Sequence, residues 1–163
     1  MGLQERMRIT AIDISPSALR VYQRNNPAAF AVQHASILDL PFAPGSFDGV
    51  YNLGVLEHFT GGEIRRILAQ FHRVLKPGGK LVIFWPHARA TSVAVLNGAH
   101  WLFNDVLKKP VEFHPAEISL LQSRQWVEPL VRDAGFRLSD YSFGARDFFV
   151  QAVVVAEKAE GLQ

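Results

Sequence analysis

Residues 60–86, TGGEIRRILAQFHRVLKPGGKLVIFWP, carry the local pattern that decides the fold class of this chain. Thr60 and Glu63 have the spacing of a capping box, in which the two residues satisfy each other's hydrogen-bonding groups at a helix start. Apolar residues then recur at helical spacing on one face. The stretch therefore predicts an amphipathic helix over about 61–75.

A turn and a strand follow this predicted helix. The Pro-Gly-Gly at 77–79 ends the helix and turns the chain, because proline and glycine both interrupt regular structure. The next residues, KLVIFWP at 80–86, are apolar at nearly every position. That pattern is typical of a parallel strand that is buried on both faces, so we predict an interior strand here.

The alternation of strand and helix extends in both directions from this stretch. The other predicted strands and helices lie at about 8–13, 16–26, 29–35, 47–53, 123–135, 136–143 and 147–158. This order predicts an α/β fold with a mostly parallel, Rossmann-like sheet, helices on both faces, and a C-terminal hairpin that adds an antiparallel strand at one edge. Residues 87–122 are predicted as a helical insert. Pro129 leaves two alternatives open, a kinked helix or one that starts near Glu128.

Composition places the chain among globular proteins. It has 163 residues, 48% of them hydrophobic and 20% charged, which suits a single domain with a sizeable core. A net charge of +2 without a long basic run argues against a nucleic-acid partner. The sequence has no cysteine, no apolar run long enough to cross a membrane and no signal-peptide pattern, so we expect a cytoplasmic protein. None of these patterns sets an oligomeric state.

The residues around Asp13 suggest a nucleotide site. The apolar stretch at 9–12 ends in Asp13, and Ser15-Pro16 has the pattern of a helix start with Ser15 as the cap. In nucleotide-binding α/β units, a carboxylate at this place accepts hydrogen bonds from the ribose hydroxyls. A second interpretation stays open, namely that Asp13 only stabilises the positive end of the helix that follows.

Four stretches of the chain form an ordered set of motifs. They are ITAIDISPSAL (9–19), ASILDLPFAPGSFDGVYNL (35–53), GVLEHF (54–59) and FHRVLKPGGKLVIFWP (71–86). Together they resemble the class I S-adenosylmethionine-dependent methyltransferases of the small-molecule type. The resemblance implies that S-adenosylmethionine is the cofactor and that a small-molecule or lipid-like acceptor receives the methyl group.

The resemblance also assigns the adenosine contacts of the cofactor. Asp13 would hold the ribose, and Ile14 would pack on the adenine ring. The acid that the family uses at the adenine edge falls on Ser36, which would make a weaker, neutral hydrogen bond. The backbone N–H of Ile37 would serve the ring nitrogen.

The end of the 47–53 strand and the motif after it supply further candidates. By the same resemblance, Asn52 and Leu53 would contact the amino-acid part of the cofactor, although an asparagine at a strand end is also ordinary turn chemistry. His58 in GVLEHF is a candidate general base or substrate-orienting residue. The alternative is a histidine that only packs or caps, so no catalytic residue is assigned.

The region after the 80–86 strand contributes the remaining pocket candidates. Trp85, His87 and Trp101 lie where the family usually assembles its substrate pocket, and an ordinary aromatic core is the alternative. The histidines of this region do not have the spacing of ligands on one helix, so we predict no metal site.

The family's first strand and its Gly-x-Gly-x-Gly turn have no counterpart in the sequence. In the family's strand order, 3-2-1-4-5-7-6, that strand is central, whereas here no glycine occurs between Gly2 and Gly45. We therefore expect residues 1–163 to be one domain that is truncated at its N-terminus and binds S-adenosylmethionine weakly by itself. Two functions stay open: methyl transfer, and a non-catalytic methyltransferase-like binding module.

Overall fold

The computed structural model describes residues 7–90, 118–144 and 150–159. The chain divides into two compact units, Met1–Phe42 and Ala43–Gln163, which we call the N-terminal unit and the C-terminal unit. Within the described ranges, no helix has both the length and the apolar character needed to cross a lipid bilayer.

The N-terminal unit consists of two parallel strands and the helix that connects them. Its elements are β1 (Thr10–Asp13), α1 (Pro16–Asn25) and β2 (Ala31–His34). The Ser15 hydroxyl accepts a hydrogen bond from the Ala18 N–H at 3.3 Å, and Pro16 occupies the start of α1. The predicted strand–helix–strand order is confirmed, because local capping chemistry is sufficient to set where α1 begins.

The C-terminal unit contains a four-stranded sheet. Its elements are β3 (Phe47–Leu53), a 3-10 turn (Leu56–His58), α2 (Gly61–Val74), β4 (Leu75–Pro86), α3 (Arg124–Asp133), β5 (Phe136–Ser142) and β6 (Gln151–Lys158). The strand order is β3-β4-β6-β5, with β3 and β4 parallel and β6 antiparallel to both of its neighbours. The α/β class, with parallel pairing first and antiparallel pairing at the C-terminus, is confirmed.

Helix α2 follows the prediction to within one residue. The Glu63 N–H donates to the Thr60 hydroxyl at 3.4 Å, and the Thr60 N–H donates to the Glu63 carboxylate at 2.9 Å, which completes the capping box. The apolar side chains of one helix face are all buried: Ile64, Ile67, Leu68, Phe71 and Val74. Burial of that face holds α2 in place, since most helical stability in proteins comes from such packing.

Strand β4 begins earlier than the sequence predicted. The prediction placed its start at residue 80, after the Pro-Gly-Gly turn, whereas the strand runs from Leu75. Pairing with β3 passes from Phe47 opposite Leu75 to Gly49 opposite Lys80, so β4 carries extra residues at this point. A positive φ of 71° at Gly78 accommodates them, because glycine adopts this conformation without strain. The glycines thus form an irregularity within the strand.

The predicted C-terminal antiparallel hairpin is confirmed. Strands β5 and β6 pair antiparallel at one side of the four-stranded sheet, with β6 between β4 and the edge strand β5. Ala152, Val154 and Ala156 of β6 are buried, which fits an interior strand. The order β3-β4-β6-β5 matches the 4-5-7-6 part of the family's strand order. Strand β6 begins at Gln151, and the predicted residues 147–149 lie outside the described residues.

The C-terminal helix resolves one of the open alternatives. Helix α3 begins at Arg124 after a Ser123 cap and continues through Pro129, so a start near Glu128 is wrong. The Ser123 hydroxyl accepts from the Trp126 N–H at 3.2 Å, and this cap fixes the helix start five residues before the proline. Most of the predicted insert at 87–122 lies outside the described residues.

Candidate functional site

In the N-terminal unit, the carboxyl ends of β1 and β2 lie side by side. The Ala35 N–H donates to the Asp13 carbonyl at 3.1 Å, and the His34 ring nitrogen Nε2 lies 2.9 Å from the Ile14 carbonyl oxygen. This pairing brings Asp13 and Ile14 next to the segment that contains Ser36. Ligands of parallel α/β sheets bind beyond the carboxyl ends of the strands, so this edge is the expected place for the nucleotide.

Asp13 has one of the two roles that the sequence left open, and its ribose-binding role stays a prediction. Its Oδ1 accepts a hydrogen bond from the Ser15 N–H at 2.7 Å, which is the helix-start role. In the part of the chain that the structure describes, no second donor lies on this carboxylate. A carboxylate offers about four acceptor positions on two oxygens, so the bond to Ser15 leaves room for ribose hydroxyls.

Ser36 and Ile37 form a turn directly after β2. The Leu38 N–H donates to the Ser36 hydroxyl at 3.2 Å, and the Asp39 N–H donates to the Ser36 carbonyl at 3.1 Å. The Ser36 hydroxyl therefore already serves the turn, while its own proton remains available to an acceptor. Ile37 is half-buried beside it.

An open groove of about 650 Å³ runs along β1 and α1, with Asp13 in its lining. Ile14, Ser36 and Ile37 are not part of that lining. Ile14 is 69% exposed, which is unusual for a large apolar residue at a strand end. Such a side chain suits contact with a flat aromatic ligand, as the sequence predicted for the adenine ring.

In the C-terminal unit, Asn52 near the end of β3 has a buried polar side chain of the kind that binds a ligand. It is 6% exposed, and its Oδ1 has no hydrogen-bond partner among the described residues. A buried acceptor without a donor costs about 1–3 kcal/mol, so a ligand with an N–H group would relieve that cost. Leu53, the next residue, is 61% exposed.

The turn after β3 places two polar side chains in different environments. Glu57 is 4% exposed, whereas the His58 side chain is 36% exposed, and His58 Nε2 lies 3.8 Å from Glu57 Oε1. Gly54 has a φ of 61°, and a Cβ there would meet Glu57 Oε1 at 3.4 Å. The turn thus presents His58 outward and holds the carboxylate inward, close to the backbone of Gly54.

Trp85, a pocket candidate at the end of β4, lies in the core of the C-terminal unit. It is fully buried, and its ring meets the Trp126 ring edge-on at 5.6 Å. The Trp85 Nε1–H donates to the Ser119 carbonyl at 2.7 Å. Trp101, also a pocket candidate, lies outside the described residues.

His87 is a buried imidazole that is tied to the backbone. Its Nδ1 accepts from the Arg89 N–H at 3.0 Å, and its ring stacks on Phe143 at 3.9 Å between centroids. Burial lowers the pKa of His87, and the nearby Arg89 charge lowers it further, which outweighs a backbone hydrogen bond to Gln122. The ring is therefore neutral at neutral pH, and a pocket role for it would be one of support.

Two residues of this region were not found from the sequence. Glu57 stands in GVLEHF directly before His58, and its burial could not be inferred because a three-residue turn has no reliable periodicity. Ser119 bonds to groups 34 and 60 residues away, and no local signal marks it. Across residues 7–90, 118–144 and 150–159, no group of three or more His, Asp or Glu side chains could hold a metal ion.

Comparison with known proteins identifies the class. The family model of the methyltransferase domain matches residues 2–83, half of the chain. The sequence is 36% identical over 88 residues to an uncharacterized methyltransferase (sll0829) of Synechocystis sp., covering 48% of this chain and 41% of that protein. It is 29% identical over 143 residues to the O-methyltransferase resE of Aspergillus sclerotiorum, covering 83% of this chain and 48% of that protein.

A shorter match concerns a different kind of methyltransferase. Over 48 residues the chain is 44% identical to the probable tRNA methyltransferase 9B of Mus musculus, covering 29% of this chain and 11% of that protein. The chain spans less than half the length of each of these three curated relatives.

Solved structures agree with the Rossmann-like fold. A S-adenosylmethionine-dependent methyltransferase of Methanosarcina mazei superposes with a TM-score of 0.68 at 19% identity, covering 93% of this chain and 82% of that one. The 1,6-didemethyltoxoflavin-N1-methyltransferase of Burkholderia thailandensis gives 0.64 at 19% identity, covering 96% and 64%, and holds its substrate and S-adenosylhomocysteine. The family model and the fold define an α/β methyltransferase domain. The chain belongs to the class I S-adenosylmethionine-dependent methyltransferase family.

The cofactor of this family fits the residues that the structure describes. The buried Asn52 Oδ1 lacks a donor, and the amino-acid part of S-adenosylmethionine carries an ammonium group that can supply one. The Asp13 carboxylate and the exposed Ile14 suit the ribose and the adenine ring. The N-terminal unit carries the predicted cofactor residues Asp13, Ile14, Ser36 and Ile37, and the C-terminal unit carries the predicted residues Asn52 and Leu53; these assignments stay predictions. When bound, S-adenosylmethionine supplies a methyl group activated by a sulfonium.

Proposed function

We propose that this chain is part of an S-adenosylmethionine-dependent methyltransferase that acts on a small-molecule or lipid-like acceptor. The observation that carries the proposal is the Asn52 side chain, which is buried at the end of β3 with an oxygen that lacks a donor. A purely structural asparagine would lose stability from that arrangement, whereas a ligand-binding one regains it from the ligand. The strand ends that carry Asp13 and Ser36 support the same assignment.

The acceptor class rests on the relatives. The O-methyltransferase resE aligns with 83% of this chain, whereas the probable tRNA methyltransferase 9B aligns with only 29%. A net charge of +2 supports the same choice, because a nucleic-acid surface needs a concentrated positive patch. A hydroxyl of a small molecule is therefore the first acceptor group to test, and tRNA is the second.

In this proposal, His58, Trp85 and His87 have different roles in the reaction and in the pocket. Alignment of the acceptor atom with the activated methyl group supplies most of the rate, so little acid–base machinery is needed. His58 is exposed on its turn and would hold or receive the acceptor's proton at an imidazole nitrogen. Trp85 and His87 would support the pocket wall from behind, because both are buried.

A second candidate is a non-catalytic methyltransferase-like binding module. The observation that favours it is the absence of a Gly-x-Gly-x-Gly turn from the 163 residues. Without that turn the methionine end of the cofactor loses its backbone donors, so binding of S-adenosylmethionine would be weak. This candidate and the enzyme differ in whether a methyl group is transferred at all.

Calorimetry and a methyl-transfer assay separate these functions. S-adenosylmethionine is titrated into the chain up to about 1 mM, which detects a binding free energy as weak as about −4 kcal/mol. Labelled S-adenosylmethionine is then incubated with the chain and either a set of phenols and long-chain alcohols or bulk tRNA. We expect weak binding, near the upper end of this concentration range, and label in a phenol or alcohol. Label in tRNA would move the acceptor class to nucleic acid, and neither binding nor label would favour the non-catalytic module.

A further inference from the structure

Ser119 of the C-terminal unit uses all of its polar groups in hydrogen bonds to two segments, the turn after β3 and strand β4. The Ser119 N–H donates to the Glu57 carbonyl at 3.0 Å, and its hydroxyl donates to the Phe59 carbonyl at 2.6 Å. Its own carbonyl accepts from the Trp85 Nε1–H at 2.7 Å.

The two donated bonds of Ser119 flank His58. Glu57 and Phe59 are the immediate neighbours of His58 in sequence. The carbonyl groups of both neighbours therefore accept hydrogen bonds from one residue, Ser119. The Ile118 N–H adds a further bond to the Glu57 carbonyl at 2.8 Å. Fixing the backbone on both sides of His58 fixes the direction in which its side chain leaves the chain.

The 3-10 turn needs such outside support. It has only three residues, Leu56–His58, and its own bonds run from the His58 N–H to Val55 at 3.2 Å and from the Phe59 N–H to Leu56 at 3.1 Å. Short 3-10 turns have poorer hydrogen-bond geometry than α-helices and leave their last carbonyls without internal partners. Ser119 donates to the Glu57 carbonyl within the turn and to the Phe59 carbonyl directly after it.

The third bond ties this support to the core. Trp85 is fully buried on β4 and packs edge-on against Trp126 of α3. The indole ring has a single N–H donor, so this hydrogen bond fixes the position of the Ser119 carbonyl relative to the Trp85 ring. The order of dependence is therefore from the core at Trp85, through Ser119, to the turn that carries His58.

We propose that Ser119 is a positioning residue for His58: it fixes the turn on both sides of that imidazole and thereby sets how the methyl acceptor is held. The acceptor part of this inference rests on the proposed function, whereas the positioning part does not. Ser119 acts through His58 and is not assigned contact with cofactor or acceptor.

The test compares four variants of the full chain. Ser119→Ala removes the hydroxyl bond to Phe59, Ser119→Thr keeps it, and Trp85→Phe removes the bond to the Ser119 carbonyl while keeping an aromatic ring. Ser139→Ala is the matched control, because the Ser139 hydroxyl also donates to a backbone carbonyl, that of Val155 at 3.0 Å, on the exposed surface.

The first readouts need no activity. Amide hydrogen exchange at Ile118 and Ser119 should become about tenfold faster in Ser119→Ala, the scale of losing one neutral hydrogen bond. The NMR signals of the His58 imidazole should shift in the same variant. Trp85→Phe should change both readouts in the same direction, and Ser119→Thr and Ser139→Ala should stay close to the parent chain. Unchanged exchange and unchanged His58 signals in Ser119→Ala would overturn the proposal.

The kinetic readout addresses the acceptor. In Ser119→Ala the KM for the acceptor should rise about tenfold, while the Kd for S-adenosylmethionine changes less than about twofold. A similar fold-increase in the acceptor KM and in the cofactor Kd, together with a lower Tm, would show that Ser119 is merely structural and would overturn the proposal. A parent chain that transfers no methyl group would contradict the proposed function alone, because exchange and the His58 signals still decide the role of Ser119.

Discussion

The two units of this chain differ in how much apolar surface they bury. In the described part of the N-terminal unit, only Leu19 and Leu40 are buried apolar side chains. The C-terminal unit buries one face of α2, the core of β4 and β6, and parts of α3 and β5. A two-stranded sheet with one helix has marginal stability by itself, whereas a four-stranded sheet with packed helices is self-sufficient.

Each unit carries predicted site residues of its own. The adenosine residues Asp13 and Ser36 stand on the unit with the smaller core, and Asn52 and His58 stand on the unit with the larger one. A ligand that binds only the folded state stabilises it by mass action, and the effect matters most where intrinsic stability is low. We therefore expect the cofactor to stabilise the N-terminal unit more than the C-terminal unit.

The largest expected effect concerns a Gly-x-Gly-x-Gly turn, a motif that does not occur within residues 1–163. Joining a Gly-x-Gly-x-Gly strand segment from a methyltransferase relative to the amino end should strengthen S-adenosylmethionine binding by about 3–9 kcal/mol. That range corresponds to two or three hydrogen bonds to charged groups. Calorimetry on both forms measures the gain, with a segment whose three glycines are replaced by alanine as the control. Micromolar binding by the original chain would contradict the prediction.

The next effect tests the two cores directly. Trp85→Ala should destabilise the C-terminal unit by about 3–5 kcal/mol, and Leu19→Ala should destabilise the N-terminal unit by about 2 kcal/mol. Native-state hydrogen exchange measures each at its own strands, β4 for Trp85 and β1 for Leu19. Val21→Ala on α1 is the control, because Val21 is 55% exposed. A larger loss at Leu19 than at Trp85 would reverse the comparison of the two units.

Asp13→Ala should weaken S-adenosylmethionine binding by about 1.5–3 kcal/mol, the scale of a hydrogen bond to a charged group. Calorimetry is performed on the form that carries the glycine segment, so that affinity is measurable. Asp39→Ala is the matched control, since Asp39 is an exposed loop carboxylate of the same unit. Equal affinities for Asp13→Ala and the parent would remove Asp13 from the site.

The smallest effect is expected at the adenine edge. Ser36→Ala should cost about 0.5–1.5 kcal/mol of cofactor affinity, because the bond is neutral. Ser46→Ala provides the control, since the Ser46 hydroxyl donates only to the Ala43 carbonyl of its own turn. The same titration serves for both variants. A greater loss for Ser36→Ala than for Asp13→Ala would show that the two adenosine contacts are ranked wrongly.

Local signals predicted most of the fold. Strand β3 was predicted at its observed bounds, and the caps at Ser15 and Thr60 placed the starts of α1 and α2, because each cap involves residues three apart. The start of β4 was missed because Pro-Gly-Gly is a turn signal whose outcome depends on the neighbouring strand. Pairing of Phe47 with Leu75 keeps that segment within the sheet.

The site was predictable only in part. The ordered motifs indicated Asp13, Ser36 and Asn52 as positions, and these assignments stay predictions. The sequence did not reveal that Asn52 is buried with an oxygen lacking a donor, since burial depends on packing from other elements. His87 likewise reads as a pocket residue in sequence, whereas its ring is stacked on Phe143 and bonded to the backbone.

The sequence by itself determined the elements, the family and the positions of the cofactor candidates, because capping, periodicity and motif spacing are properties of neighbouring residues. The tertiary structure alone decided the burial of Glu57 and the bonds of Ser119 around His58. Each of these depends on contacts between residues far apart in the chain. Such contacts form only when whole elements pack, and no local pattern specifies them.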